Sequence, residues 1–134
     1  MTALSPPHAA RSRAATVALT ALQILIALAF FGVGGAKLAG AAPMVAVFDA
    51  VGVGQWFRYV TGVLEILGGV LLLVPRLAVL GALLLAGVMV GAMTAHRFIL
   101  HTPLVAPLIL LIGLSIVLIV RRGEITDQLA RLRR

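Results

Sequence analysis

The feature that most constrains this chain is a succession of four apolar runs, at residues 14–36, 56–74, 77–94 and 103–120. A helix rises about 1.5 Å per residue, so runs of about 18–23 residues can cross a hydrocarbon core of about 30 Å. Hydrophobic residues make up 62% of the chain and charged residues 11%, against about 45–50% and about 25% in soluble domains. The sequence therefore predicts an all-α integral membrane protein, a four-helix bundle with up-down-up-down topology. Pro75-Arg76 leaves room only for a tight turn, which makes the second and third spans antiparallel neighbours.

Short polar or mixed segments flank this membrane domain, which we place at residues 14–122. Residues 1–13 show no apolar periodicity and are predicted to form a flexible cytoplasmic arm. Between the first two spans, Pro43 is expected to start a short helix that is too short to cross the membrane. Residues 123–134 are predicted to form a basic cytoplasmic tail, with a short surface helix around Ile125, Leu129 and Leu132.

The first run also has some features of a signal peptide. Arg11 and Arg13 precede it, and Ala39-Gly40-Ala41 follows it. The run is longer than the usual core of about 7–15 residues, and Lys37 interrupts it before the small residues. We therefore expect it to be kept as a membrane span.

The basic residues predict the orientation of the bundle. With four spans, one side of the membrane receives Lys37, Arg58 and Arg97, and the other receives eight arginines. Basic residues accumulate in cytoplasmic segments, so both termini are expected in the cytoplasm (N-in/C-in). The eight are Arg11, Arg13, Arg76, Arg121, Arg122, Arg131, Arg133 and Arg134.

Composition and motifs argue against several classes of function. The net charge of +7 does not indicate a nucleic-acid partner, because the basic residues flank apolar runs and form no stripe with interleaved aromatic residues. The absence of cysteine excludes thiol chemistry and iron–sulfur ligation by this chain. Met89, Met93 and His96 share a helix face, but this set is more typical of a packed edge than of a haem or metal site. We expect no metal site and no catalytic residues.

Glu65 is the exceptional residue, because it lies near the middle of the second apolar run. A carboxylate at that depth is costly unless it is paired, protonated or hydrated. Lys37 is the favoured partner, because it ends the polar stripe of the first span on the same side of the membrane. Arg58 is less favoured, because it lies two turns from Glu65 in the same helix. In the first span, Gln23 is expected to hydrogen-bond to a neighbouring helix.

A pocket in the outer half of the bundle is a further expectation. Lys37 and Glu65 would form its polar end, and His96 lies at the same end of the third span. Such a pocket could hold a quinone or a small lipid. Its apolar walls would come from Phe30, Phe31, Trp56, Tyr59, Met89 and Met93.

Three motifs together resemble the DoxX-like family of small four-helix bacterial membrane proteins. They are the end of the first span, residues 31–38 (Phe-Gly-Val-Gly-Gly-Ala-Lys-Leu), residues 57–69 around Glu65, and residues 89–96, which end in His96. The resemblance covers residues 15–122. Lys37 and Glu65 match the recurring polar positions of the family. The resemblance also implies a multi-pass protein of the bacterial inner (plasma) membrane.

The resemblance implies an accessory role more than an enzymatic one. Some members of the family are subunits of membrane redox complexes, and animal relatives are assembly chaperones. We therefore expect a non-catalytic subunit or assembly factor that meets the lipid bilayer and either a membrane protein partner or a second copy. The alternative is a quinone- or small-lipid-binding protein associated with redox chemistry. A third hypothesis is a proton-coupled transporter. It rests on Glu65 alone and would require an oligomer.

Overall fold

The computed structural model describes residues 11–133, and within them every regular element is helical. This confirms the all-α prediction. The predicted flexible arm lies outside the described residues as far as residue 10. The elements are α1 (Arg13–Ala39), α2 (Ala42–Val51), α3 (Gln55–Leu73), α4 (Ala78–Ala95), a π-helical turn (His96–Leu100), α5 (Val105–Val120) and α6 (Arg122–Leu132).

α1 is longer than the predicted first span at both ends. Ser12 caps its start, since the Ser12 hydroxyl oxygen accepts a hydrogen bond from the backbone N–H of Ala15 at 3.1 Å. Gly40 ends the helix in the left-handed conformation (φ 72°), which glycine adopts without a steric penalty. Lys37 consequently lies inside the last turn of α1.

Three helical segments are long and apolar enough to cross a membrane: α1, α3, and α4 together with the π-helical turn. The fourth predicted span is shorter than expected, because α5 has 16 residues and begins at Val105. Pro107 lies in its first turn, where the missing N–H costs little. α5 and α6 form a pair bent by 59°, so the described chain has three candidate spans, or up to four if that pair is one span. This agrees with a helical membrane bundle.

α3 is the central helix of the bundle. It packs against α1 on one side and against α4 on the other, and α4 in turn packs against α5. The outward surfaces of these helices remain apolar, as the environment of lipid tails requires. The buried apolar core consists of Leu19, Ile26, Ala27, Phe30, Leu72, Ala82, Leu85, Met89, Leu114 and Val117.

Glycines allow both of these helix pairs to approach closely. A Cβ built on Gly34 of α1 would lie 3.0 Å from the carbonyl oxygen of Gly62 in α3. A Cβ on Gly81 of α4 would lie 2.5 Å from the backbone nitrogen of Leu72, and 2.8 Å from the carbonyl oxygen of Gly68. Small residues are a common means of helix association in membranes, where no hydrophobic force drives the helices together.

α2 fills the space beside these spans. Pro43 lies in its first turn, as the sequence indicated, and Gly52 ends it in the left-handed conformation (φ 77°). The helix contacts α3 and the π-helical turn. One side of α2 therefore faces the same end of the bundle as Lys37.

Candidate functional site

Lys37 and Glu65 form an ion pair between α1 and α3. The Lys37 Nζ atom lies 2.5 Å from Glu65 Oε1, and it donates a hydrogen bond there. The Glu65 side chain is 1% exposed and the Lys37 side chain 11%. The structure thus brings together the two residues that the sequence indicated as a buried pair.

The glycine contact between α1 and α3 explains how the pair is positioned. Lys37 follows Gly34 by three residues, and Glu65 follows Gly62 by three residues, so each charged residue lies about one turn beyond the contact. A side chain at either glycine would push the two helices apart. The close approach of the backbones therefore sets the distance between the ammonium and the carboxylate.

The second oxygen of the Glu65 carboxylate, Oε2, is buried, and no donor among the described residues reaches it. A carboxylate has lone pairs for several hydrogen bonds. An ammonium at Oε1 alone leaves this capacity partly unused. The site can therefore still accept a hydrogen bond at Glu65.

Arg58 performs a role that the sequence did not reveal. Its side chain is 4% exposed, and its Nη1 atom donates a hydrogen bond to the main-chain carbonyl of Lys37. Its guanidinium carbon also lies 4.3 Å from the centre of the Tyr59 ring. Arg58 is thus not the partner of Glu65. It stabilises the carbonyl end of α1, where the helix dipole favours a positive charge.

Gln55 and Asp49 extend this network to α2. Gln55 Oε1 accepts a hydrogen bond from Arg58 Nε at 2.6 Å. Its Nε2 donates to Asp49 Oδ1 at 2.6 Å and to the carbonyl of Val45 at 3.1 Å. Neither role is evident from the sequence, in which Gln55 and Asp49 are simply two polar residues beside apolar runs. The network joins α1, α2 and α3 at one end of the bundle.

A cavity of about 650 Å³ lies beside the ion pair. Its walls come from α1, α2, α3, α4 and the π-helical turn, and they are mostly apolar. The polar side chains in the wall are Lys37, Glu65, Thr61 and His96. The other lining residues are Val33, Met44, Val47, Phe48, Val51, Phe57, Leu64, Leu83, Leu84, Gly87, Val88, Gly91, Ala92, Ala95 and Leu100.

The apolar walls differ from those expected from the sequence. Phe30 and Met89 belong to the buried core instead. Phe31 packs on Gly69 of α3. Trp56 and Tyr59 are 60% and 49% exposed and do not line the cavity. Nor does Met93. α2 and Phe57 take the place of these residues, because the short helix covers this side of α3.

His96 lies at the cavity and at the start of the π-helical turn. Its Nδ1 atom is 2.6 Å from the hydroxyl oxygen of Thr102. The turn ends at His101, which adopts the left-handed conformation (φ 50°). Among the described residues, no group of three or more His, Cys, Asp or Glu side chains lies close enough to bind a metal ion.

Gln23 lies at the opposite end of the bundle. Its Nε2 atom donates to the carbonyl of Leu72 at 2.8 Å, which confirms the expected bond to a neighbouring helix. Its Oε1 atom accepts a hydrogen bond from Arg121 Nη2 at 3.0 Å. This second polar group is separate from the cavity and connects α1, α3 and the start of α6.

Comparison with curated proteins and with solved structures finds no match to this chain. A match is found among protein families, to the model described as "DoxX-like family", over residues 21–120. The matched region contains both members of the ion pair and all residues that line the cavity. It covers well over half of the chain and agrees with the helical membrane bundle, so this protein belongs to the DoxX-like family.

Proposed function

We propose that this DoxX-like membrane protein binds a small amphipathic molecule from the bilayer in the cavity beside Lys37 and Glu65. The observation that carries the proposal is a mostly apolar cavity of about 650 Å³ with a buried ion pair in its wall. Small-molecule sites typically enclose about 300–1,000 Å³ and combine apolar walls with a few polar groups. A quinone or a small lipid has the matching chemistry, an apolar body and one polar head.

The polar groups of the site support a binding role for these two residues. Lys37 can donate a hydrogen bond to a ligand oxygen, and the Glu65 carboxylate lines the cavity with acceptor capacity left for a ligand hydroxyl. His96 offers a further polar group in the cavity wall. The chain would hold and orient the ligand, while any redox chemistry would belong to the ligand and to another protein.

Equilibrium dialysis of the purified protein with decylubiquinone, in detergent and in nanodiscs, tests this proposal. Gly87→Leu is the informative variant, because Gly87 lines the cavity and has nothing within 4 Å of a built Cβ. Gly35→Leu is the matched control, since Gly35 has equal space but lies outside the cavity. We expect saturable binding that is at least about tenfold weaker in Gly87→Leu, a loss of about 1.4 kcal/mol. Equal affinity in both variants, or no saturable binding, would contradict the proposal.

The second candidate function is that of a non-catalytic subunit or assembly factor of a membrane complex. The specific observation is that Gly32 and Gly35 of α1 have nothing within 4 Å of a built Cβ. Small residues on a lipid-facing surface permit close docking of another helix. Co-purification in mild detergent should return a stoichiometric partner, or a second copy, that is lost in Gly32→Leu. Isolation as a lone species in several detergents would count against this role.

The proposed location is a bacterial inner membrane, with both termini in the cytoplasm. The distribution of arginines supports this orientation. The chain has no cysteine, so single cysteines report cleanly on accessibility. In intact cells, a membrane-impermeant maleimide should label Val53→Cys and spare Ser12→Cys. The reverse pattern would mean the opposite orientation.

A further inference from the structure

α6 (Arg122–Leu132) is an amphipathic helix whose apolar face is exposed in its second half, whereas Ile125 near its start is half-buried. Ile125, Leu129 and Leu132 recur at steps of four and three, which places them on one face. Leu129 is 54% exposed and Leu132 is 84% exposed. Apolar side chains with this exposure are normally buried against lipid or against another protein.

The polar face of α6 lies toward the turn between α3 and α4. Arg121 Nη1 lies 2.9 Å from Glu124 Oε2, and it also lies 3.5 Å from the carbonyl oxygen of Pro75. Glu124, Asp127 and Arg131 line a polar cavity of about 480 Å³ together with the turn between α3 and α4. Glu124, Asp127 and Arg131 therefore lie on the side of α6 that faces this cavity, and Leu129 and Leu132 lie on another face of the helix.

We infer that the apolar face of α6 lies in the headgroup region of an anionic lipid leaflet. Only Arg121 separates α6 from α5, so the helix starts where the last apolar helix ends. Its axis is bent by 59° from that of α5. A helix that leaves the end of a membrane span at such an angle lies closer to the membrane plane than the span does. Amphipathic helices at this position bury their apolar face at the boundary between headgroups and acyl chains.

The charges at this end of the bundle fit anionic headgroups. Arg122 and Arg133 are exposed and eleven residues apart, which places both at the same edge of the apolar face. Between residues 11 and 133, this end carries Glu124 and Asp127 against seven arginines. A basic segment next to a membrane span attracts acidic lipids. The seven are Arg11, Arg13, Arg76, Arg121, Arg122, Arg131 and Arg133.

A second copy of the chain could also bury the apolar face of α6, but the small size of this face argues against that alternative. Three aliphatic side chains on an 11-residue helix offer far less than the roughly 800 Å² per partner of a stable protein interface. A lipid surface needs no such area, because the helix is already tethered to the membrane by α5.

Site-directed fluorescence in nanodiscs tests this inference on the full chain. A bimane label is attached to Leu129→Cys, or to the matched control Ala130→Cys, which is also exposed but lies on another face of α6. Brominated lipids and aqueous iodide serve as the two quenchers. We expect brominated lipids to quench the label at position 129 several-fold more than the label at 130, and iodide to show the reverse.

The preference of α6 for anionic lipids is measured separately. At equal mole fraction, brominated phosphatidylglycerol should quench the label at 129 about twofold or more above brominated phosphatidylcholine, since each arginine near the surface favours acidic lipid. Arg122→Gln combined with Arg133→Gln should reduce that difference. Strong iodide quenching at 129 would overturn the lipid contact. Shielding from both quenchers would instead mean a second copy, and an equal effect of the two lipids would overturn the anionic preference.

Discussion

Gly34 and Gly62 pack backbone against backbone, and this contact sets the spacing between α1 and α3. A Cβ on Gly62 would lie 3.1 Å from the carbonyl oxygen of Gly34 and 3.1 Å from Leu38 Cδ2. The contact lies one turn before both members of the Lys37–Glu65 pair. The buried charges are therefore close together because two residues beside them have no side chain.

Gly62→Ala should destabilise the bundle through this contact. The added methyl group overpacks the crossing, and we expect the free energy of unfolding to fall by about 1–3 kcal/mol. Equilibrium unfolding in mixed micelles measures the change. Gly35→Ala is the control, since its Cβ meets nothing within 4 Å. The control should not lose stability, because the helix propensity of alanine exceeds that of glycine by up to about 1 kcal/mol. Equal effects of the two substitutions would show that the crossing tolerates a side chain.

A double-mutant cycle should show that Lys37 and Glu65 interact energetically. Lys37→Met and Glu65→Gln should each lower stability by about 3 kcal/mol, because each leaves the other polar group buried without its partner. The double variant should recover at least about 1 kcal/mol of the summed loss. As a control, Lys37→Met combined with Glu124→Gln, at the other end of the bundle, should be additive. Additive losses at Lys37 and Glu65 would mean that the ion pair contributes no coupling.

Arg58→Lys should weaken the junction of α1, α2 and α3. Arg58 donates from two separate nitrogens, Nη1 to the Lys37 carbonyl and Nε to Gln55 Oε1, and the single ammonium nitrogen of a lysine cannot occupy both positions. We expect a loss of about 1–3 kcal/mol, since a buried acceptor loses its donor. Proteolysis within α2 should also become faster. Arg97→Lys is the control, because Arg97 lies on the surface beside Phe98, and similar proteolysis of both variants would argue against this role of Arg58.

Gln23→Leu should destabilise the opposite end of the bundle modestly. The variant loses the bond to the Leu72 carbonyl and leaves Arg121 Nη2 without its acceptor. Interhelical hydrogen bonds in membrane proteins contribute about 0.6 kcal/mol on average and up to about 1.7 kcal/mol, so we expect a loss of about 1 kcal/mol. Thermal unfolding in detergent measures it. Thr20→Val is the control, because among the described residues the Thr20 hydroxyl bonds to Thr16 within α1 and to no other helix. A larger effect of Thr20→Val would contradict the assignment.

The helices and the ion pair could be anticipated from sequence, but the network around them could not. The sequence shows directly that the chain has long apolar runs and that a single carboxylate lies within them. Arg58 binds a main-chain carbonyl, and such an acceptor has no signature in the side-chain sequence. The sequence predicts Trp56 and Tyr59 in the cavity wall, whereas the structure leaves them on the outer surface.

The cavity depends on the arrangement of elements that are distant in sequence. Phe48 and Phe57 reach each other in an edge contact with ring centres 5.8 Å apart. That contact exists because α2 folds back along α3. No periodicity within α2 predicts which neighbour it covers, so the walls of the cavity could not be assigned from the sequence.

The sequence by itself determined that this protein is a helical membrane bundle and that Glu65 needs a partner, because hydropathy and the cost of a buried charge act locally along the chain. Only the tertiary structure decided that glycines set the pair distance, that Arg58 binds the end of α1 and that α2 closes a cavity beside them. These features arise from contacts between backbones and side chains of different helices. Their geometry depends on how closely the helices approach, which the order of residues does not state.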